Sequence, residues 1–150
     1  MSIVWRLASG RYPPLDGEGA RKAGGRWNSA GHPIVYTSES LALCLAESLV
    51  HLPGHLPRGY QSSKIFVPDD AIEVLDTTSL IKGWQTNLSF TRNLGDQWLT
   101  ARRSLALIVP SVVLPESSNV LLNPLHSRTN ELRVMDQRPF TFDPRLRSSN

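Results

Sequence analysis

Apolar and polar positions divide the chain into short β-type runs and one densely apolar helix. Residues 3–7 (IVWRL) and 34–37 (IVYT) carry the β-branched and aromatic side chains that suit a pleated surface. Ser38 follows the second run as the expected N-cap, its hydroxyl placed to accept an amide hydrogen bond in the first turn of a helix over about 39–52 (ESLALCLAESLVHL). Within it Leu41, Ala42, Leu43, Cys44, Leu45 and Ala46 are apolar in every direction around the axis, which predicts burial on most sides. Two more β-type runs follow, KIFVP (64–68) and AIEVLD (71–76), and then a polar stretch of loop and short helix over 77–103. The longest β signal, LALIVPSVVLP (105–115), is interrupted by Pro110, which predicts a bulge or an edge that re-aims Ser111. ESSNVLLNP (116–124) adds a strand, ELRVMDQRPFTFD (131–143) alternates like a final strand pair, and 144–150 reads as a frayed tail.

This order of elements predicts an α+β fold, with few helices and a mixed or antiparallel sheet. A length of 150 residues suits a single domain over 1–150, and no repeat or low-complexity block divides it. The apolar share of 40% and charged share of 19% are ordinary for a globular protein. No stretch reaches the roughly 18 apolar residues of a membrane span, so no membrane role is expected. The single cysteine, Cys44, excludes an internal disulfide and a multi-cysteine zinc site, which points to a reducing cytoplasm and to no metal.

Charge alters the picture mildly. Sixteen Lys and Arg against thirteen Asp and Glu give +3, and lysine occurs only at Lys22, Lys64 and Lys82. Arginine suits bidentate capture of phosphate or carboxylate. The glycine-rich, basic stretch 15–28 holds Gly24 and Gly25 directly before Arg26, a place where backbone can approach a ligand and a guanidinium can grip a pyrophosphate; a tight turn with a surface arginine fits the same residues. Glu47 is the sharper candidate, because a carboxylate on an enclosed helix needs a partner or a task. A structural salt bridge, to Arg26 for example, is its plain alternative. Tyr36 is either a packed strand residue or an aromatic plate for a flat heterocycle. Ser111 is a capping hydroxyl or a site residue. His32, His51, His55 and His126 show no metal spacing and read as structural, and Cys44 reads as a small core residue. Dinucleotide-fold glycine signatures, phosphate-binding loops and nucleophile elbows are missing, and the basic residues are scattered rather than striped.

Three blocks then carry a resemblance: DGEGARKAGGRWNSAGHPIVYTSESLALCLAE (16–47), GDQWL (95–99) and VPSVVLPESSNVLLNPLH (109–126). In this order and over nearly the whole chain they resemble the RES domain, the toxin half of bacterial RES–Xre type II toxin–antitoxin pairs. The family takes its name from an arginine, a glutamate and a serine, which correspond by motif position to Arg26, Glu47 and Ser111, with Ser117 and Ser118 as neighbouring serines. The resemblance implies a fold like that of ADP-ribosyltransferases and diphtheria-type toxins. It implies consumption of NAD⁺ as substrate, with no cofactor, by hydrolysis or phosphorolysis, and for some members ADP-ribosylation of a protein. It also implies an Xre-family antitoxin partner and a toxin homodimer within a larger complex.

Under that resemblance Glu47, Arg26, Tyr36 and Ser111 form the expected catalytic set. Gly25, Arg26, Trp27, Asn28, Tyr36 and Asn119 form the expected substrate-binding set. Glu47 would face the ribose as the bond to nicotinamide breaks, Arg26 would hold phosphates, Tyr36 would stack beside nicotinamide, and Ser111 would orient substrate. A mono-ADP-ribosyltransferase and a non-catalytic nucleic-acid-binding module are the competing readings, although direct nucleic-acid contact by this chain is not expected.

Overall fold

The computed structural model describes residues 2–52 and 54–147. In chain order these form β1 (Ser2–Ser9), α1 (Glu18–Ala23), β2 (Val35–Ser38), α2 (Leu41–His51), β3 (Tyr60–Val67), β4 (Ile72–Val74), α3 (Leu88–Ala101), β5 (Ala106–Pro110), β6 (Ser118–Leu122) and β7 (Arg133–Phe140). One seven-stranded sheet runs in the order β4-β5-β6-β2-β1-β3-β7. Only β4 and β5 pair in parallel, which makes the sheet mixed and the fold α+β as the pattern of elements predicts.

Alternation along the strands feeds two cores on opposite faces of the sheet. Val35 and Leu122 lie opposite each other and enter the first, with Val4, Ile65, Val67 and Val120. Leu121, one residue away and opposite Tyr36, enters the second with Trp27, Trp98, Leu107 and Val109. The second face carries the candidate site.

Several expectations need correction. Ser40, not Ser38, caps α2: its extended backbone lets Oγ accept from the Leu43 amide at 3.1 Å. Ser38 stays in β2 because its neighbour Asn119 on β6 engages its hydroxyl. Helix α2 is not buried on most sides; only Leu43 and Cys44 are buried and Val50 is 61% exposed. The helix lies on β1 and β2 along one face, and its other apolar residues remain at or near the surface.

Within the stretch read as a glycine-rich loop, Glu18–Ala23 form α1. The stretch read as loop and short helix holds the 14-residue α3, capped by Asn87, whose Oδ1 accepts from the Phe90 amide. The run 105–115 is not one interrupted strand. It ends at Pro110, and residues 111–117 turn the chain back into β6, from Pro110 opposite Ser118 to Ala106 opposite Leu122. Residues 131–143 give a single edge strand, β7, rather than a pair. The expected tail is docked over its first residues. Pro144–Leu146 make a helical turn, and Arg147 donates to the Leu49 carbonyl at 2.6 Å and to the Leu52 carbonyl at 3.3 Å; residues 148–150 lie outside the described residues.

Candidate active site

A cavity of about 710 Å³ opens between α2 and the loop that follows α1, with the strands as its floor. Helix α2 contributes Glu47, Ser48 and His51; β2 and β6 contribute Tyr36, Ser38 and Asn119; the loop contributes Gly24, Gly25, Arg26 and Trp27; α3 contributes Arg92.

Glu47 is clamped from two other elements. The Ser111 hydroxyl donates to its Oε1 at 2.7 Å, and the Asn119 amide nitrogen donates to the same oxygen at 2.8 Å. Asn119 is oriented in turn by the Ser38 hydroxyl, which donates to Asn119 Oδ1 at 2.7 Å. The turn after β5 places Ser111, and pairing of β2 with β6 places Ser38 beside Asn119. With both donors on Oε1, no hydrogen bond among the described residues engages Oε2. Glu47 makes no salt bridge to Arg26, so the structural pairing considered from sequence is not formed. Arg26 instead donates from one terminal nitrogen to the Gln85 carbonyl at 2.9 Å, and the residue lines the same cavity as Glu47.

Two glycines and one phenol hydroxyl shape the loop. Gly24 has φ of +72°, a conformation that favours glycine. A β-carbon on Gly25 would come within 2.6 Å of the Tyr36 hydroxyl oxygen, so only glycine lets the backbone lie on that ring. The Tyr36 hydroxyl accepts from the Trp27 amide at 2.9 Å and donates to Asn28 Oδ1 at 2.6 Å. Burial pushes this phenol well above its ordinary range. Asn28 is fully buried and donates to the Ala20 and His32 carbonyls, both at 2.9 Å, which ties the loop to α1.

Helix α3 pins the loop from outside. Thr91 donates to the Arg26 carbonyl at 2.6 Å, Arg92 Nε donates to the Gly25 carbonyl at 2.8 Å, and Asp96 accepts from the Ser29 amide at 2.9 Å. Thr91 and Arg92 escaped the sequence reading and Asp96 entered it only within the GDQWL block, although with Gly95 they follow the 91, 92, 95, 96 spacing of one helical face.

Of the residues singled out in sequence, Glu47, Arg26, Tyr36, Gly25, Trp27 and Asn119 share one cavity wall. Ser111 and Asn28 do not line it. Ser111 is buried and reaches the cavity only through Glu47, so its place is to hold the carboxylate rather than to touch a ligand. Ser117 meets Ser111 through its backbone carbonyl. His51, read as structural, lies on the cavity wall one turn beyond Glu47. Cys44 donates its thiol to the Trp5 carbonyl, and burial pushes its pKa up to about 11.

The RES domain family description matches residues 3–143. The chain belongs to the RES domain family. A relative from Sphingobium sp. (strain YBL2), named Prs ADP-ribosylating toxin, is 36% identical, over 95% of this chain and 94% of its own length. Two proteins named Toxin Res are similar to the same extent: one from Photorhabdus laumondii at 33% identity, covering 96% of each chain, and one from Pseudomonas putida at 34%, covering 96% of this chain and 99% of that one. This RES-domain chain is thus kin to toxins along nearly its full length. Its fold also matches a chain of the M. tuberculosis MbcT–MbcA toxin–antitoxin complex, with TM-score 0.68 and 18% identity over 93% of this chain and 84% of that one. No helix among the described residues is long and apolar enough to cross a membrane.

Proposed function

We propose that this RES-domain protein is the toxin of a type II toxin–antitoxin pair and depletes NAD⁺ by cleaving its nicotinamide–ribose bond, through hydrolysis or phosphorolysis. The observation that carries the reading is Glu47, fixed through Oε1 by Ser111 and Asn119, on one cavity with the residues Arg26 and Arg92. A dinucleotide carries two phosphates and a ribose that turns cationic as the base departs. Two guanidiniums and one held carboxylate complement those charges.

In this mechanism the electron pair of the C1′–N bond goes to the nicotinamide nitrogen, and nicotinamide leaves as a neutral molecule that needs no acid. Glu47 Oε2 stabilises the forming oxocarbenium ion and accepts from a ribose hydroxyl. Because its other oxygen is already held, the carboxylate is oriented before substrate arrives, and this preorganisation is the main electrostatic contribution to the rate. Arg26 and Arg92 grip the pyrophosphate, and the Tyr36 ring forms part of the wall beside them. NAD⁺ is the substrate and no cofactor enters. The partner is an Xre-family antitoxin that covers the cavity, and the toxin works in the cytoplasm as a homodimer within the complex.

A second reading keeps the site and changes the acceptor: mono-ADP-ribosylation of a cellular protein, favoured by the name of the Sphingobium relative. The nucleic-acid module has less support, because Arg21, Arg103, Arg128, Arg138 and Arg145 are each paired with carboxylates rather than gathered on a bare basic face. The test is nicotinamide release by purified protein, with and without phosphate, with product identification. Free ADP-ribose or its 1″-phosphate supports the first reading, label transferred to protein supports the second, and intact NAD⁺ overturns both.

A further inference from the structure

We infer that His51 is the base that activates an uncharged acceptor oxygen, water or a hydroxyl, once nicotinamide has begun to leave. This inference rests on the NAD⁺-cleaving reading above. Capture of the ribosyl cation by water forms a C1′–O bond and strips one proton from that water, and some group on the cavity has to receive it. Glu47 is poorly placed for this task. Its Oε1 accepts from both Ser111 and Asn119, and Oε2 is the oxygen left to face the ribose.

The other titratable groups on the cavity wall that could serve are Tyr36, Cys44, Tyr60 and His51. Phenols and thiols ordinarily keep their protons at neutrality. Tyr36 is also occupied at both ends of its hydroxyl and pushed further up by burial, while the Cys44 thiol, pushed up to about 11, donates to the Trp5 carbonyl. Imidazole is the side chain that ordinarily exchanges protons between pH 5 and 8.

Position supports the same residue. His51 follows Glu47 by four residues on α2, one helical turn along the same wall and about 6 Å further along the axis. The residue is exposed to solvent while it lines the cavity, so its ring can pass a proton on to water. The balance closes without another reactant: NAD⁺ and water give nicotinamide, ADP-ribose and a proton, and that proton passes from water to the imidazole and then to solvent.

Phosphate distinguishes this role from a structural one, because the phosphate dianion already carries a nucleophilic oxygen and needs no base. In phosphate-free buffer His51→Ala should lower nicotinamide release at least about tenfold, the low end of a general-base contribution, and added imidazole should restore part of the rate. Formation of ADP-ribose 1″-phosphate in phosphate buffer should change less than about threefold, since that base contribution is absent there. Unchanged hydrolysis by His51→Ala overturns the role. Equal loss of both activities without imidazole rescue overturns it in favour of a structural histidine, with His51→Gln checking that the fold persists. Wild-type protein that uses phosphate and never water also overturns it. Wild-type protein that releases no nicotinamide at all overturns the parent reading and this inference together, whereas the preceding outcomes leave the parent reading standing.

Discussion

A β-carbon on Gly95 would lie 1.6 Å from the Trp27 carbonyl oxygen, so α3 and the loop that carries Arg26 meet backbone against backbone. Alanine is ordinarily the better helix former, by about 1 kcal/mol over glycine. Here the sign reverses, because no rotamer escapes a clash with a carbonyl. Gly95→Ala should destabilise by about 1–3 kcal/mol, as overpacking does, and lower the melting temperature by about 2–12 °C for a chain of this size. It should also weaken NAD⁺ binding, since the same face of α3 holds the Gly25 and Arg26 carbonyls. A thermal melt checks the first effect, and a raised midpoint would show that the contact is not closed in solution.

Tyr36→Phe keeps the ring and deletes the hydroxyl between the Trp27 amide and Asn28. If Tyr36 were only a plate for a base, the change would be neutral. Because the hydroxyl ties the loop, its loss leaves a part-buried donor unmatched and should cost about 1–3 kcal/mol. Denaturant midpoints measure that cost, and KM should rise with it.

These two residues show how far the sequence reaches. Period-two runs located most of the strands, and the apolar run around Cys44 located α2, because both signals are local. The position of Ser111 was not legible. Pro110 suggested a bulge within a strand, whereas the strand ends there, and the return of β6 alone brings Ser111 to Glu47. Helix α3 was read as loop and short helix since its buried face is spread over Thr91, Gly95, Trp98 and Leu99, of which only Trp98 and Leu99 are large apolar residues. What α3 does, pinning the loop through Thr91, Arg92 and Asp96, depends on contacts across more than 60 positions of chain, which no local pattern records.

Arg26→Ala removes one of two arginines that line the cavity. A hydrogen bond to a charged group contributes about 1.5–3 kcal/mol, so KM should rise about 10- to 100-fold with kcat little changed. Arg92→Lys keeps the charge but loses the Nε bond to the Gly25 carbonyl, and should disturb both binding and the melting temperature. An unchanged KM in Arg26→Ala removes phosphate capture from the account.

The Cys44 thiol gives a pH signature. Burial raises its pKa from 9.0 to about 11, so the folded protein holds this proton more tightly than the unfolded chain. The stabilisation is whole below about pH 9 and lost as pH rises toward about 11. Cys44→Ala should retain NAD⁺ turnover and flatten the decline of stability over that window. A thiol reagent should label the folded wild type slowly at pH 8, and fast labelling there would contradict the raised pKa.

Glu47→Gln and Ser111→Ala separate charge from position. Glutamine keeps an oxygen that can accept from Ser111 and Asn119, so the fold should persist while kcat falls about 10²–10³-fold, a common size for losing one preorganised electrostatic group. Ser111→Ala leaves the carboxylate charged and still held by Asn119. Its kcat loss should be smaller than that of Glu47→Gln, with KM unchanged because Ser111 does not line the cavity. Ser111→Thr should recover part of the rate by restoring a hydroxyl donor. A raised KM in Ser111→Ala would mean that the serine meets the substrate itself, and normal turnover by folded Glu47→Gln would remove the carboxylate from the chemistry altogether.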